Sequence, residues 1–324
     1  MSLEGAGSHD RTGYRHPLYA RSLAELGTPV ALPACGGWLV RRAIPGTTLV
    51  DAIGAYPVFA CDDWSALGRD LASLADHLVS VTVVADPFAD VRELDLRASF
   101  DVVFPFKRHY VIDLAAAPSI GPRHRRNVQR AARAVQVHVC GEPLAYLDEW
   151  CGLYEGLLHR HGGGTTRPLS RAAFDAQFRV PGLTVFRATE GEHTVGLHLW
   201  YASGGIGYGH LGATSARGYA LQASYALYAA AIAHFRGRLS WLDLGGVAGA
   251  SDADEQDGLR QFKAGWATDT RTAFLCGRVL QPGAYARLVR DVSEGCTPYF
   301  PLYRRAEARE PASMPVAARH AARS

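Results

Sequence analysis

Residues 193–246 read HTVGLHLWYASGGIGYGHLGATSARGYALQASYALYAAAIAHFRGRLSWLDLGG, and the order of their elements points to the fold. Two β-rich runs, 193–203 and 205–213, meet at a glycine turn. An alanine-rich helix is predicted over 219–237, and a further strand covers 238–246. Paired strands followed by a helix and another strand are typical of an α/β protein with a mixed sheet.

The neighbouring segments continue this alternation of helices and strands. Further elements are predicted on both sides: a helix and strand within 119–139, helices at 144–161 and 172–179, a strand from 183 that turns at Glu190–Gly191–Glu192, a glycine- and aspartate-rich loop at 245–258, a helix at 257–266 and a strand at 270–280. The triple glycine 162–164 is expected to end the helix before it. We therefore expect an α/β fold with mixed, mostly antiparallel sheets flanked by helices.

The chain divides into two predicted units of the same plan. Four segments are expected, namely a flexible N-terminus, a short first unit, a larger second unit and a disordered tail, at 1–15, 16–115, 116–303 and 304–324. The first unit contains an amphipathic helix at 62–79, capped by Asp62 or Asp63, and two strands at 99–106 and 109–114.

Bulk composition excludes several classes of protein. Nearly half of the 324 residues are apolar and the net charge is only +3, which argues against a chain-wide nucleic-acid binder but allows a local basic patch. The first 16 residues form no secretory signal, and no run reaches the roughly 18 apolar residues of a membrane helix. Six scattered cysteines without a CxxC pair predict free thiols, and we expect a cytoplasmic protein.

The two lysines stand out in an arginine-rich chain. Of 34 basic side chains, all but Lys107 and Lys263 are arginine. A chain rich in alanine, arginine and glycine suggests a GC-rich bacterial genome, in which arginine codons replace lysine codons. A lysine retained against this bias is a candidate for a functional ammonium group, with chance retention as the alternative.

The run GYGHLG at 207–212 fits GxGxxG formally, but the following helix starts too late for a dinucleotide site. We interpret it as an open strand that places Tyr208 and His210 on one face, where they either line a ligand site or pack in the sheet. Arg217 and Gly218 follow at the start of the long helix, a position suited to phosphate or a developing oxyanion, or else a plain loop.

A stripe of arginines lies on the helix that opens the second unit. Arg123, Arg126, Arg130 and Arg133 are spaced by three or four residues and share one helical face, with His124 beside them. Such a face suits the phosphates of RNA or a nucleotide. The alternative is an ordinary solvated helix face.

A buried acid and a lysine among aromatics mark the end of the second unit. Asp243 interrupts an apolar strand and must be paired or lie at a sheet edge. Lys263 follows on a short helix between Phe262 and Trp266, where partial desolvation would strengthen its effect on a nearby anion. The alternative is a surface lysine that covers apolar neighbours.

The sequence lacks the signatures of several common enzyme classes. It contains no GxSxG elbow, no Walker loop and no HExxH. His159 and His161 end a helix without sharing a face, so we predict a structural turn there and no metal site.

The second unit resembles the FemAB/FemX-like peptidyltransferases and their BioF2-like acetyltransferase relatives of the GNAT superfamily. Five segments carry the resemblance, in this order: RRNVQRAARAVQVHV, LHRHGG, GYGHLGATS, SWLDLGG and GLRQFKAGW. It spans about residues 105–280. The first unit is similar to the weaker N-terminal half of the same proteins, through RRAIPG and DAIGAYP.

This resemblance implies two acetyltransferase-like domains, the first degenerate, with a cleft between them. The family's Phe-Lys pair matches Phe262–Lys263, whose lysine would stabilise charge in the transition state, and its strand aspartate matches Asp243. Better-known members use aminoacyl-tRNA as donor and a peptidoglycan-precursor amine as acceptor. This sequence lacks their coiled-coil arm, which argues against a cell-wall role, and Ala220 stands where a coenzyme A loop would need its second glycine.

The expected activity is therefore amide formation from aminoacyl-tRNA, without a metal or other cofactor. Lys263 would stabilise the oxyanion, and Tyr208, His210 and Phe262 would line the cleft, with Arg217 and Trp266 as further binding residues. The arginine stripe would hold the tRNA acceptor end. The proton acceptor stays open between water, His210, Asp243 and the ester's neighbouring hydroxyl. Two alternatives are an acyl-CoA-dependent N-acyltransferase and a degenerate, non-catalytic binding domain.

Overall fold

All strands of the described residues belong to one mixed sheet. The computed structural model describes residues 11–116, 120–160, 168–246, 253–290, 292 and 299–305. The strands are β1 (Thr28–Leu32), β2 (Gly37–Ala43), β3 (Val50–Gly54), β4 (Ser80–Val84), β5 (Val102–Asp113), β6 (Gln136–Val139), β7 (Leu183–Glu190), β8 (His193–Ser203), β9 (Ile206–Thr214), β10 (Trp241–Asp243) and β11 (Asp269–Val279).

The helices cover both faces of this sheet. They are α1 (Pro17–Ser22), α2 (Leu67–Ser73), α3 (Glu93–Ser99), α4 (Pro122–Ala134), α5 (Leu147–Arg160), α6 (Arg171–Phe178), α7 (Ala216–Ala220), α8 (Ala223–Phe235), α9 (Ala253–Ala264) and α10 (Pro282–Val289). Leu197 of β8 packs with Trp150 and Phe174 of α5 and α6 on one face, whereas Trp200 packs with α8 on the other. Strand β8 is therefore apolar on both sides, as expected for a sandwiched strand.

The sheet is mostly antiparallel and has one parallel step in each half. Its strand order is β1-β2-β3-β4-β11-β5-β10-β9-β8-β7-β6. Only β3 with β4 and β10 with β9 run parallel. The predicted fold class, an α/β fold with a mixed, mostly antiparallel sheet flanked by helices, is confirmed. The hairpin between β7 and β8 lies at the predicted turn.

The last long strand returns to the first half of the chain. Strand β11, predicted within the second unit, lies between β4 and β5 and pairs antiparallel with both. Strand β5 is a single strand through Pro105, where the sequence predicted two, and its ladder has an irregularity near that residue. The domain boundary at 115/116 stays a prediction, since the sheet is continuous across it.

Two helices differ from their predicted lengths. The predicted helix at 62–79 is a 3₁₀ turn followed by the short α2, and Asp63 caps that turn by accepting the Ser65 N–H. The long helix predicted around 219–237 is split into α7 and α8, because Gln222 between them has a left-handed backbone with φ of +58°.

Residues near both ends of the described chain are buried, although the sequence predicted a flexible N-terminus up to residue 15 and a disordered tail from residue 304. Tyr14, predicted in a flexible N-terminus, is 4% exposed and contacts the rings of Tyr19, Tyr201 and Tyr208. Arg304, predicted in the disordered tail, is buried because its guanidinium donates to the buried Asp51 carboxylate at 2.9 Å. A buried carboxylate needs such a partner.

Several predicted features lie outside the described residues. These are residues 1–10 of the N-terminus, the triple glycine 162–164 with His161, residues 247–252 of the loop predicted at 245–258, Cys296 and the tail from 306. The end of that predicted loop is instead the start of α9, at Ala253. Among the described residues, no helix is long and apolar enough to cross a membrane.

Candidate active site

The central short strand ends on a buried carboxylate. Strand β10 is three residues long, and Asp243 at its end is paired with Val111 of β5 and Tyr208 of β9. The Asp243 side chain is buried and accepts the Gly245 N–H at 2.7 Å. Gly245 adopts φ of +74°, a conformation that favours glycine, and so turns the chain back over the carboxylate. Of the two alternatives predicted for Asp243, a paired carboxylate or one at a sheet edge, the structure shows the paired one, in the middle of the sheet.

The same carboxylate is paired with a histidine from the neighbouring strand. His109 of β5 is 5% exposed, and its Nδ1 lies 2.8 Å from Oδ2 and 3.1 Å from Oδ1 of Asp243. His109 was not among the site residues predicted from the sequence. It begins the apolar run HYVIDL, so it is also a polar residue in a predicted buried strand. The same kind of signal had identified Asp243.

Lys263 reaches the same turn from α9. It is 8% exposed, and its Nζ donates a hydrogen bond to the carbonyl oxygen of Gly246 at 2.9 Å. The pKa of Lys263 is lowered to about 8, mainly because the side chain is buried. The negative charge of Asp243 partly opposes this shift, and the positive charge of Lys107 adds to it. The ammonium is thus poorly solvated and held beside a carboxylate.

The only two lysines of the chain meet at one glycine. A Cβ placed on Gly246 would lie 2.9 Å from the Cβ of Lys107, and the Gly246 carbonyl accepts Lys263. The Lys107 ammonium donates to the Tyr56 hydroxyl at 2.9 Å and lies 5.0 Å from the Phe106 ring centroid. Gly246 therefore lies between the two lysine side chains, next to the stem of Lys107 and bound to the ammonium of Lys263.

A cleft lies between loops of the first half and the start of β9, and Tyr208, which pairs with Asp243 in the sheet, links it to this centre. Its volume is about 430 Å³, and its lining includes Tyr14, Asp62, Asp86, Phe88 and Tyr208. Tyr208 donates its hydroxyl proton to Asp86 at 2.7 Å. Burial raises the pKa of Asp86 to about 6, although the hydrogen bonds from Tyr208 and the Phe88 N–H lower it.

His210 on β9, the predicted catalytic histidine, has hydrogen-bond partners outside this centre at both ring nitrogens. His210 lies within hydrogen-bond distance of the Tyr14 hydroxyl through Nδ1 (3.1 Å) and of Gln177 Oε1 through Nε2 (3.0 Å). Burial lowers its pKa to about 3, so the ring is neutral. It forms no hydrogen bond to Lys263 or Asp243, and the structure does not bring it together with them.

Phe262 and Trp266, the aromatic neighbours of Lys263 on α9 and just after it, pack against α8. Their rings pack with Tyr225 and Tyr228 of α8, and Trp266 is 4% exposed. The Phe262 carbonyl accepts a hydrogen bond from His124 Nε2 at 2.9 Å. The two predicted binding residues are therefore core residues that fix α9.

The predicted arginines fall into two groups. Arg217 is exposed and forms a two-point ion pair with Glu190 across the β7–β8 turn. The stripe on α4 is exposed along its length, namely Arg123, Arg126, Arg130 and Arg133. None of these four forms an ion pair within the part of the chain that the structure describes, and α4 contains no acidic residue. His124 is buried against α9 and does not belong to this surface.

Among the described residues, no group of three histidines, cysteines or acids is placed to hold a metal ion. The described cysteines are all free thiols, at Cys35, Cys61, Cys140, Cys151 and Cys276.

Comparison with solved structures identifies the fold as that of FemX-like proteins. FemX itself superposes with a TM-score of 0.63 at 15% identity, covering 86% of this chain and 96% of FemX. The C-terminal domain of a protein assigned as lysylphosphatidylglycerol synthetase from Agrobacterium fabrum gives a TM-score of 0.58 at 15% identity, covering 87% and 92%. L-PGS from Bacillus licheniformis gives 0.51 at 13%, covering 85% and 94%. No protein-family model and no curated protein matches the sequence.

The presence of only two lysines allows the pKa of Lys263 to be measured directly. Lysine-selective ¹³Cε labelling gives two NMR signals, and we expect one of them to titrate near pH 8. In Lys107→Met the Lys263 signal should be the one that remains. Its pKa should rise, because the substitution removes a nearby positive charge. Titration of both wild-type signals at the ordinary lysine value, about 10.4, would contradict the described burial.

Proposed function

We propose that this protein is an acyltransferase that moves an aminoacyl group from aminoacyl-tRNA to the amine of a small-molecule or peptide acceptor. The observation that carries the proposal is Lys263, buried beside Asp243 and held by the Gly246 carbonyl where β10 ends. The FemX-like fold supports it, and the GC-biased composition favours a role in specialised metabolism.

Lys263 would supply the electrostatic part of catalysis. When an amine attacks the ester carbonyl, the carbonyl oxygen gains negative charge, and a fixed ammonium in a poorly solvated site stabilises that charge strongly. A pKa of about 8 keeps most Lys263 side chains protonated at neutral pH. The aromatic packing of Phe262 and Trp266 would hold this charge in place, so that little reorganisation accompanies the reaction.

The acidic cleft supports an amine as the acceptor. Four carboxylates line it beside the aromatic rings of Phe88 and Tyr208, namely Asp62, Asp63, Asp86 and Asp90. Asp62 is paired with Arg11 and Arg15, so the other three supply the negative charge. Negative charges raise the local concentration of a protonated amine, and aromatic faces attract cations. The cleft adjoins the centre closely enough for Asp243 and His109 to act on the pKa of Asp86. An amine bound there would thus be near the reacting carbonyl.

The arginine surface supports tRNA as the donor. The exposed stripe on α4 carries no compensating acid, and its helix is joined to α9 through the hydrogen bond from His124 to Phe262. A polyanion bound along α4 would therefore be positioned relative to Lys263. Arg217 is paired with Glu190, and the Ser215 hydroxyl already caps the Gly218 N–H, which argues against a phosphate site of coenzyme A at this turn.

Removing the ammonium tests the catalytic proposal. Lys263→Met keeps an unbranched side chain in the aromatic pocket but should lower turnover about 100-fold or more, because oxyanion stabilisation is lost. Hydroxylamine can serve as acceptor, with aminoacyl hydroxamate formed from bulk aminoacyl-tRNA as the product measured. Unchanged turnover in a variant with wild-type circular dichroism would exclude this role.

Neutralising the stripe tests the donor. Arg126→Ser with Arg130→Ser should weaken aminoacyl-tRNA binding and reduce the slope of log affinity against log salt by roughly 1.5, since each arginine lost is one phosphate contact fewer. The matched control is Arg69→Ser with Arg179→Ser, which makes the same charge change at exposed sites on α2 and beside α6. Equal slopes in both double variants would contradict binding of tRNA along α4.

A further inference from the structure

The buried pair of His109 and Asp243 has the geometry of a histidine oriented by a carboxylate. Asp243 takes the Gly245 N–H on Oδ1, and a backbone N–H can only donate. With the Lys263 ammonium nearby, the carboxyl is best satisfied as an ionised acceptor, so the proton between it and His109 resides on Nδ1. In neutral His109, Nε2 then carries the free lone pair.

The free edge of the His109 ring faces the turn that holds Lys263. A Cβ on Gly246 would lie 3.2 Å from Cδ2 of His109, the atom next to Nε2, and the Gly246 carbonyl binds the Lys263 ammonium. Glycine at this position therefore keeps a side chain away from this edge of the buried His109 ring. Within the described residues, His109 has no hydrogen-bond partner besides Asp243.

Other groups near the site are less suited to take a proton. His210 has both ring nitrogens occupied by Tyr14 and Gln177. Asp86 accepts the Tyr208 hydroxyl on one oxygen and the Phe88 N–H on the other. Asp243 is occupied by Gly245 and His109. Of these groups, only His109 combines an orienting partner with an unoccupied nitrogen beside the lysine.

We propose that His109 is the general base of the reaction and that Asp243 is its positioning residue. This proposal rests on the proposed function. The acceptor nitrogen forms a bond to the ester carbonyl carbon while Nε2 of His109 takes a proton from that nitrogen. The oxyanion then collapses, the bond from carbon to the ribose oxygen breaks, and the Nε2 proton passes to that oxygen. The products are an amide and uncharged tRNA, and His109 returns to its neutral form.

The role of Asp243 follows from the same geometry. It fixes the tautomer and orientation of the ring and stabilises the imidazolium that forms during proton transfer. Asp243→Asn can present its NH₂ group to Nδ1 and so favour the wrong tautomer. We expect a lower kcat with little change in the KM for hydroxylamine, whereas a purely structural defect would also lower the midpoint of urea unfolding.

The test compares two substitutions at His109, with hydroxylamine as acceptor and bulk aminoacyl-tRNA as donor. His109→Gln keeps a polar group near Asp243, and His109→Ala leaves a cavity that imidazole can enter. Both should lower hydroxamate formation about 100-fold without weakening aminoacyl-tRNA binding. Imidazole should restore the His109→Ala rate, while 1,2,4-triazole, of similar shape but much weaker basicity, should not. Lys263→Met should not respond to imidazole.

Each outcome bears on one proposal. A His109→Gln rate equal to wild type, or equal rescue by both azoles, overturns His109 as the base but leaves the acyltransferase proposal standing. Loss of the native circular dichroism spectrum in both variants, with no rescue, also overturns it in favour of a structural role. No hydroxamate formation by the wild-type protein overturns the proposed function and with it the role of His109.

Discussion

Asp243 places a negative charge in the middle of the sheet, and the surrounding arrangement satisfies that charge. A buried carboxylate is costly unless it is paired and hydrogen-bonded, and removing one partner of such a pair typically costs about 3–5 kcal/mol. The Gly245 N–H and the His109 ring bind the carboxylate directly. The Lys263 ammonium, held by the Gly246 carbonyl, adds an attractive positive charge from a third segment. The requirement to compensate the charge of Asp243 therefore brings β5, the turn after β10 and α9 together at one point.

The topology explains why this point joins the two halves of the chain. Strand β10 lies between β5 and β9, antiparallel to one and parallel to the other. Strand β11 then crosses to lie between β4 and β5, so that the second half of the sequence closes the sheet of the first. The cleft forms along this junction, where loops of the first half face the start of β9.

Sequence reasoning succeeded where the signal was local. Alternation, glycine turns and apolar runs predicted the order of strands and helices from β7 to β11. The interruption of an apolar strand drew attention to Asp243, and the scarcity of lysine together with aromatic neighbours drew attention to Lys263. It failed where the determining contact was distant. Tyr14 is buried by rings nearly 200 residues away, and His124 fits its pocket only because residue 265 is a glycine. His210 looked free because its partners, Tyr14 and Gln177, are remote in sequence.

The most direct measurement is to incubate the purified protein with bulk charged tRNA, and separately with acetyl-CoA, and to follow binding and donor hydrolysis. The account predicts that one charged tRNA species is bound and is selectively protected or slowly deacylated, which would also identify the amino acid. Binding of acetyl-CoA with no effect on any charged tRNA would contradict the aminoacyl-tRNA donor. Interaction with neither would contradict a catalytic role for the site around Asp243 and Lys263.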